Sequence, residues 1–185
     1  MHPTSSLKAT YRKKILQQSK DTVILSVEDA TNIITTGIFD NSQSISAYWP
    51  LKPEVDITNL LHILHNDHRK SIFIPKPLTT KVLSFIKWTP DTKMIFENGC
   101  FVPECKTIFS INDIDTVIVP CIGVDANHQR LGRGGGFYDR SIPADKPTLS
   151  FINQNQFISK AICDPHDLFI NTLFIFNNTW KKLTI

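Results

Sequence analysis

Residues 116–140 read TVIVPCIGVDANHQRLGRGGGFYDR, an apolar run that leads into a loop rich in glycine. The apolar run at residues 116–119 is typical of a central strand in a parallel sheet, because both faces of such a strand are buried. Ligands of open α/β sheets bind beyond the carboxyl ends of the strands. We therefore expect the loop that follows this run to hold the functional site.

The rest of the chain alternates between segments with strand and helix character. Strands are predicted at residues 45–49, 71–75, 82–88, 148–152 and 173–176, and helices at residues 6–19, 27–35 and 56–68. This alternation favours an α/β fold with a mostly parallel sheet and helices on both faces. The 185 residues contain no internal repeat or low-complexity linker. We therefore predict a single three-layer domain over residues 1–185.

The composition excludes several classes of protein. Apolar residues make up 41% and charged residues 20% of the chain, as in ordinary globular proteins. The formal charge of +3 suits a protein that meets anionic small molecules but falls short of the dense basic stripe of a nucleic-acid binder. No apolar run approaches the length of a membrane span, and the N-terminus lacks the apolar segment of a signal peptide. We expect a cytoplasmic protein without membrane or nucleic-acid partners.

Cysteine spacing gives no sign of a disulfide framework or a zinc site. The four cysteines, Cys100, Cys105, Cys121 and Cys163, form no C-x-x-C pair. In a cytoplasmic protein reduced thiols are the default. We expect no disulfide bond.

The loop at residues 130–136 has the chemistry of an anion site. Four of the chain's seven glycines lie here: Gly132, Gly134, Gly135 and Gly136. Glycine permits positive φ and close approach to a ligand, and successive N–H groups can converge on an anion. Arg130 and Arg133 add forked donors for phosphate oxygens, and Asp139 offers a carboxylate to Mg²⁺. The loop matches neither the P-loop nor G-x-G-x-x-G, where Phe137 replaces the third glycine, so a flexible basic surface loop remains an alternative.

Residues 120–140 resemble the signature of the 5-formyltetrahydrofolate cyclo-ligase family. That signature runs P-x-x-x-x-D, a short turn, and then R-L-G-x-G-x-G-Y-Y-D. The matching residues are Pro120, Asp125, Arg130, Leu131, Gly132, Gly134, Gly136, Tyr138 and Asp139. A weaker resemblance extends over nearly the whole chain.

Four residues of the N-terminal third resemble family site residues. Lys8 and Arg12 match a Lys-x-x-x-Arg element, and because one helical turn separates them both cations face the same way. The resemblance implies that they clamp the phosphates of ATP, whereas a solvated helix face is the alternative. Glu54 matches a folate-binding glutamate, and Trp49 before it could stack on the pterin. A helix N-terminal carboxylate and a core aromatic are the alternatives for these two residues.

Later elements match the family less closely. Pro165-His166-Asp167 resembles a Pro-His-Asp element, which implies that Asp167 is the second metal ligand, although a turn aspartate is the alternative. Pro103-Glu104 resembles a Pro-Glu-Pro element in which Cys105 replaces the second proline. Gln156 matches an upstream glutamine.

Several substitutions depart from the family pattern. Phe137 replaces the first tyrosine of the Tyr-Tyr pair, His128 stands where glycine is usual, and Cys121 and Val124 replace residues that are commonly Gly and Phe. The stretch between residues 140 and 147 is shorter than the helix usual there. These changes predict an intact phosphate cradle and an altered folate pocket.

The resemblance implies a ligase that converts 5-formyltetrahydrofolate to 5,10-methenyltetrahydrofolate and releases ADP and phosphate. ATP is the implied co-substrate, Mg²⁺ the implied metal, and a monomer the implied state. The implied catalytic residues are Arg133 and Tyr138. The implied ATP-binding residues are Lys8, Arg12, Arg130, Leu131, Gly132, Arg133, Gly134, Gly135, Gly136, Phe137 and Tyr138. Trp49 and Glu54 are the implied substrate contacts, and Asp139 and Asp167 the implied metal ligands.

Three other functions remain open at this point. A degenerate family member would bind nucleotide or folate without turnover. A sugar-phosphate isomerase or an acyl-CoA-transferring relative would act without ATP. A nucleic-acid module would use Arg130, Arg133 and Arg140, but the mild net charge argues against it.

Three histidines with helical spacing form another candidate site. His62, His65 and His68 lie three residues apart, a spacing at which side chains on a helix can share a metal. They fall on the polar flank and at the end of the predicted helix. We therefore predict that the three histidines are solvated and that His68 interacts favourably with the helix dipole.

Overall fold

The computed structural model describes residues 3–19, 21–164 and 166–184. The helices of this part of the chain are α1 (Pro3–Gln18), α2 (Val27–Ile34), α3 (Thr58–Asn66) and α4 (Phe137–Ser141). Its strands are β1 (Ser44–Ser46), β2 (Ser71–Pro77), β3 (Leu83–Trp88), β4 (Met94–Glu97), β5 (Cys100–Pro103), β6 (Thr116–Ile118), β7 (Gly123–Asp125), β8 (Arg130–Leu131), β9 (Thr148–Asn153), β10 (Phe157–Ile158), β11 (Thr172–Asn177) and β12 (Thr179–Thr184). Short 3₁₀ turns cover Ile111–Asp113 and Gln154–Gln156.

A seven-stranded mixed sheet organises the domain, in the order β12-β11-β9-β6-β1-β2-β3. The five inner strands are parallel to their inner neighbours, and β3 and β12 pair antiparallel at the two edges. The apolar run at residues 116–119 supplies the central strand β6, as predicted. The predicted fold class, a mostly parallel sheet with helices, is confirmed.

One face of the sheet is covered by α2 and α3. Helix α2 begins after Ser26, whose hydroxyl accepts a hydrogen bond from the Asp29 N–H at 3.0 Å and so caps the first turn. Its buried residues Ala30, Ile33 and Ile34 recur at helical spacing and pack on the sheet. The leucine stripe of α3 is buried in the same cluster.

The opposite face has a thinner cover. Val117 and Val119 of the central strand point into a second core, while Ile118 between them points to the first, because side chains alternate along a strand. Tyr138 and Ile142, in and just after the five-residue helix α4, pack in this second core together with loop residues. The helical cover predicted for this face is therefore limited to the short helix α4, and loops supply most of the rest.

A second sheet of three short strands, in the order β10-β7-β8, lies beside the first. Helix α1 docks on it through Ile15, which is buried against Ile122, Leu131 and Ile158. The sequence did not predict these strands, nor the antiparallel hairpin of β4 and β5, nor the edge strand β12. No helix among the described residues is long and apolar enough to cross a bilayer.

Candidate active site

A cleft of about 270 Å³ opens at the carboxyl ends of β6, β1 and β2, three neighbouring strands of the central sheet. Pro120 follows β6, Tyr48 and Trp49 follow β1, and Pro75 lies near the end of β2, so all three strands deliver residues to its wall. The remaining walls are the glycine loop, the turn at residues 51–54 and the hairpin of β4 and β5. The cleft lies where the position of the central strand predicted it.

The glycine loop adopts the backbone conformations that its composition predicts. Gly134 has φ +97° and Gly136 φ +67°, in the left-handed region that residues with a Cβ rarely adopt. Gly132 has a different role, because a Cβ there would lie 2.6 Å from the guanidinium carbon of Arg130. The loop therefore needs glycine twice for conformation and once for close packing.

Arg130 lies buried behind this loop and links three elements. Its Nε donates to the Pro120 carbonyl at 2.8 Å, and its Nη1 lies 3.5 Å from Asp139 Oδ2. The guanidinium also lies over the Tyr138 ring, 4.8 Å from the centroid. Burial raises the pKa of Tyr138, against the opposing effect of Arg130, so its hydroxyl stays protonated. Arg130 and Tyr138 both line the cleft.

Arg133 crosses from the glycine loop to the turn at residues 51–54. Its Nε donates to Glu54 Oε1 at 3.1 Å, and its Nη2 donates to the carbonyls of Leu51 and Lys52 at 3.0 and 2.8 Å. The Arg133 side chain is 45% exposed, whereas that of Glu54 is 6% exposed. One salt bridge therefore joins the predicted catalytic arginine to the predicted folate-binding carboxylate.

Glu54 is a buried carboxylate held by two hydrogen bonds. Its Oε2 accepts from the Leu51 N–H at 2.8 Å, in addition to the contact with Arg133. Burial raises the pKa of Glu54, and Arg133 and the Leu51 amide offset part of this rise. Trp49 lines the same wall and lies 6.0 Å from Trp88 between ring centroids. The two predicted substrate residues therefore share one side of the cleft.

The two predicted phosphate-binding cations of α1 lie in different settings, because Arg12 contacts the glycine loop and Lys8 contacts Asp164 and Asp167. Arg12 Nε donates to the Gly132 carbonyl at 2.7 Å. Lys8 is buried and its ammonium contacts both Asp164 Oδ2, at 2.7 Å, and Asp167 Oδ2. Burial alone lowers the pKa of Lys8, but the two carboxylates outweigh it and the net pKa is raised. Asp164 was not predicted from the sequence, and no local motif distinguishes it.

Of the two candidate metal ligands, Asp139 contacts the backbone of the residue that follows Asp167. Asp139 Oδ1 accepts from the N–H of Leu168, the residue next to Asp167, at 3.1 Å. Each carboxylate already has a cationic partner, Arg130 for Asp139 and Lys8 for Asp167. The described residues contain no cluster of three or more metal-binding side chains. Mg²⁺ typically takes one or two carboxylates together with waters and substrate phosphates, and this pair of carboxylates fits that donor set.

The remaining loop residues contribute in different ways. Leu131 is buried against Ile15 in the third core, so only its backbone is available to a ligand. Phe137 lines the cleft with a ring where the family has a phenol. Gly135 also lines the cleft, and its carbonyl accepts from Arg140 Nη2, which fixes the loop to the fold.

The hairpin of β4 and β5 supplies the wall that sequence reasoning missed. Asn98, Gly99, Cys100 and Phe101 line the cleft, and an ion pair of 3.0 Å between Lys76 and Glu97 ties the hairpin to β2. A signal was present, because Asn-Gly between two apolar runs is typical of a two-residue hairpin turn. Asn98 and Gly99 both have positive φ, 51° and 82°, as a type I′ turn requires.

The family departures have identifiable structural settings. His128 has φ +59°, which explains why glycine is usual at this turn, and its Nδ1 lies 3.3 Å from the Ile170 carbonyl. Cys121 is buried and accepts a hydrogen bond from the Ser150 hydroxyl at 3.2 Å. Gln156 is fully buried and donates to two backbone carbonyls, so its role is structural. Glu104 is exposed and pairs with Lys93 at 2.8 Å, away from the cleft lining.

The prediction of solvated histidines is wrong for two of the three. His62 and His65 are half-buried, and their rings meet Trp88 edge-on at centroid distances of 5.2 and 6.2 Å. They therefore support the buried indole of Trp88. His68 follows the end of α3 and is exposed, as predicted.

The fold is a mixed α/β domain in which a glycine-rich loop and a buried carboxylate line one cleft. Residues 5–175 match the 5-formyltetrahydrofolate cyclo-ligase family, and the chain belongs to this family. The matched range includes the glycine loop and residues 165–167.

Curated relatives agree with this assignment over part of their length. The chain is 29% identical over 106 residues to 5-formyltetrahydrofolate cyclo-ligase from Haemophilus influenzae, covering 55% of this chain and 56% of that protein. It is 30% identical over 114 residues to the enzyme of the same name from Mycolicibacterium smegmatis, covering 59% and 55%. The matched region thus spans little more than half the length of these relatives.

Solved structures share the fold over nearly the full length. The 5,10-methenyltetrahydrofolate synthetase from Mycoplasma pneumoniae superposes with a TM-score of 0.68 at 22% identity, covering 92% of this chain and 98% of that one. The 5,10-methenyltetrahydrofolate synthetase from Aquifex aeolicus superposes with a TM-score of 0.72 at 24% identity, covering 91% and 89%. At these identities the likeness establishes the fold.

Proposed function

We propose that this protein converts 5-formyltetrahydrofolate to 5,10-methenyltetrahydrofolate, using ATP and Mg²⁺ and releasing ADP and phosphate. The observation that carries this proposal is the contact between Arg133 of the glycine loop and Glu54 inside one cleft. The proposed phosphate-binding loop and the proposed pterin acceptor thereby face one cleft, in which ATP and the folate can meet. The named relatives and the family support the same reaction.

The folate half of the site is Trp49, Glu54 and the hairpin wall. A pterin presents an N–H and an amino group side by side, and an ionised carboxylate can accept from both. Glu54 accepts from Leu51 and Arg133 in the free protein, so the pterin donors take over from Arg133 or share the carboxylate with it. The Trp49 ring and the apolar lining suit the flat ring system.

The phosphate half is the glycine loop with Arg133 and the α1 cations Lys8 and Arg12. Phosphoryl transfer requires positioning and charge neutralisation more than covalent help from the protein, and these groups supply both. Asp139 and Asp167 would hold Mg²⁺, which when bound neutralises charge on the transferring phosphate. Arg133, released from Glu54, is the cation nearest to both halves of the cleft.

The chemistry balances without a covalent enzyme intermediate. The formyl oxygen attacks the γ-phosphorus, and the bond from that phosphorus to the bridging oxygen of ADP breaks. The nitrogen at position ten attacks the activated formyl carbon and loses its proton. The carbon–oxygen bond then breaks, phosphate leaves, and the five-membered methenyl ring remains. We assign to Tyr138, which is protonated and lies beside Arg130, the donation of a hydrogen bond to developing charge.

The setting of the protein is proposed on the same basis. ATP and a reduced folate are cytoplasmic metabolites, so we place the activity in the cytoplasm. We propose a monomer, as the family resemblance implies. We propose no nucleic-acid partner, because Arg130 is buried and Arg140 is bound to the Lys81 carbonyl at 3.1 Å.

The direct test mixes the purified protein with 5-formyltetrahydrofolate and Mg²⁺, with and without ATP, and follows the near-ultraviolet absorbance of the methenyl product. We expect an ATP-dependent rise that falls roughly 10³-fold in Arg133→Ala, because a transition-state cation is lost. A flat trace together with measured ATP binding would reject the proposal. It would favour a family member that binds nucleotide without turnover, a reading to which Phe137 in the cleft wall lends support.

A further inference from the structure

Helix α1 docks on the domain mainly by polar contacts. Of its residues 6–18, Lys8 and Ile15 have buried side chains, and Leu7 and Leu16 remain more than 40% exposed. The inward face therefore carries one apolar anchor at its C-terminal half and one buried cation at its N-terminal half. A buried ammonium is costly unless it is paired, so the partners of Lys8 decide where this end of the helix lies.

Asp164 and Asp167, the two partners of Lys8, lie on one tight turn that is held by hydrogen bonds. The Asp167 N–H donates to the Asp164 carbonyl at 2.9 Å, and the Asp164 N–H donates back to Asp167 Oδ2 at 2.6 Å. The Asp164 carbonyl also accepts from Gln129 Nε2 at 2.9 Å, which ties the turn to the residue that precedes β8. The turn thus presents two carboxylates, three residues apart, to one ammonium.

The two carboxylates differ in their proposed roles besides the contact with Lys8. Asp167 is the one that the proposed function uses as a metal ligand, together with Asp139, which accepts a hydrogen bond from the Leu168 N–H. A carboxylate that binds a divalent cation has less charge to offer Lys8. Asp164, which the proposed function does not assign to the metal, contacts the same ammonium at 2.7 Å and has a side-chain exposure of 26%.

We propose that Asp164 is a positioning residue, which holds Lys8 and the N-terminal half of α1 in place for the ATP phosphates when Asp167 binds the metal. This inference rests on the proposed function for the role of ATP. The docking of α1 by Asp164, however, needs neither ATP nor folate. The two parts can therefore be tested separately.

The kinetic test compares Asp164→Asn with the wild type, Asp164→Glu and a matched control, Asp91→Asn, which alters an exposed turn aspartate. We expect the KM for ATP to rise about 10-fold in Asp164→Asn, as for a weakened charge contact, with kcat changed less than 3-fold and the KM for folate unchanged. Asp164→Glu should recover most of the ATP affinity, and Asp91→Asn should match the wild type. An unchanged KM for ATP, or equal rises for both substrates, would overturn the inference.

A second readout follows α1 itself without any turnover. Arg12, Lys13 and Lys14 give trypsin three consecutive sites in this helix, and mass spectrometry identifies cleavage there. We expect Asp164→Asn to be cut several-fold faster than the wild type at these sites, because local opening exposes them. The exchange Lys8→Asp with Asp164→Lys should restore protection but not ATP affinity. Equal cleavage of wild type and Asp164→Asn would contradict the docking role even if cyclo-ligase activity is established.

Discussion

The two sides of the cleft are built in different ways. On the phosphate side, Arg130, Gly132 and Asp139 lie within ten residues of one another and are locked by buried hydrogen bonds, a cation–π contact and close packing. On the pterin side, Trp49 and Glu54 meet a hairpin that begins some forty residues later in the chain. The first side is a rigid local motif, whereas the second is assembled by the fold. Substitutions should therefore act sharply on the first side and gradually on the second.

Among the three changes that compare the two sides, the largest effect is expected from Gly132→Ala on the proposed phosphate side. The new Cβ would lie 2.6 Å from Arg130 Cζ, and that guanidinium cannot withdraw because it is buried and bound to the Pro120 carbonyl. The loop must shift instead, and we expect kcat/KM to fall roughly 100-fold through misplaced phosphate donors. Steady-state kinetics with a circular-dichroism check of folding measures this. A fall of less than threefold in a folded variant would show that the loop is not rigid.

An intermediate effect is expected from acidification on the pterin side. Burial raises the pKa of Glu54 above the usual range of a glutamate, so this carboxylate takes up a proton at a higher pH than an exposed one. Protonation removes an acceptor, and the KM for folate should rise about tenfold per pH unit below that pKa. The measurement is the KM for folate as a function of pH. Its rise at low pH should be absent in Glu54→Gln, whose KM for folate is high at every pH. A rise that persists in Glu54→Gln would assign it to another group.

The smallest effect is expected from Gly99→Ala in the hairpin. Nothing lies within 4 Å of the new Cβ, so the change strains only the backbone at φ +82°. Such strain costs on the order of 1 kcal/mol, and we expect a KM for folate raised a few-fold with the KM for ATP unchanged. Kinetics for each substrate measures the difference. An effect as large as that of Gly132→Ala would mean that the hairpin is as rigid as the glycine loop.

The same contrast explains what could be predicted from the sequence. The glycine loop was predictable because its glycines, arginines and aspartate are contiguous, and the structure confirms positive φ at Gly134 and Gly136. The parallel sheet was predictable because its inner strands are apolar on both faces. The hairpin turn Asn98-Gly99 carried a usable signal, but its strands are only four residues long.

Other features had no local signal. The Arg133–Glu54 salt bridge joins residues 79 apart in sequence, and the Lys8–Asp164 contact joins residues 156 apart. Their pairing depends on how the sheet brings separate loops together, which neither spacing nor composition records. The roles of His62 and His65 were misjudged for the same reason, since Trp88 lies on a distant strand. The assignments of Asp139 and Asp167 to Mg²⁺ remain predictions.

The most direct test of the division between the two sides is a pair of binding titrations by calorimetry. A non-hydrolysable ATP analogue and 5-formyltetrahydrofolate are each titrated into wild type, Arg12→Ala and Glu54→Gln. We predict a crossed pattern, because Arg12 is bound to Gly132 of the glycine loop and Glu54 lies in the opposite wall. Arg12→Ala should weaken the analogue about tenfold and leave folate unchanged, and Glu54→Gln should do the reverse. Equal weakening of both ligands in either variant would contradict the account.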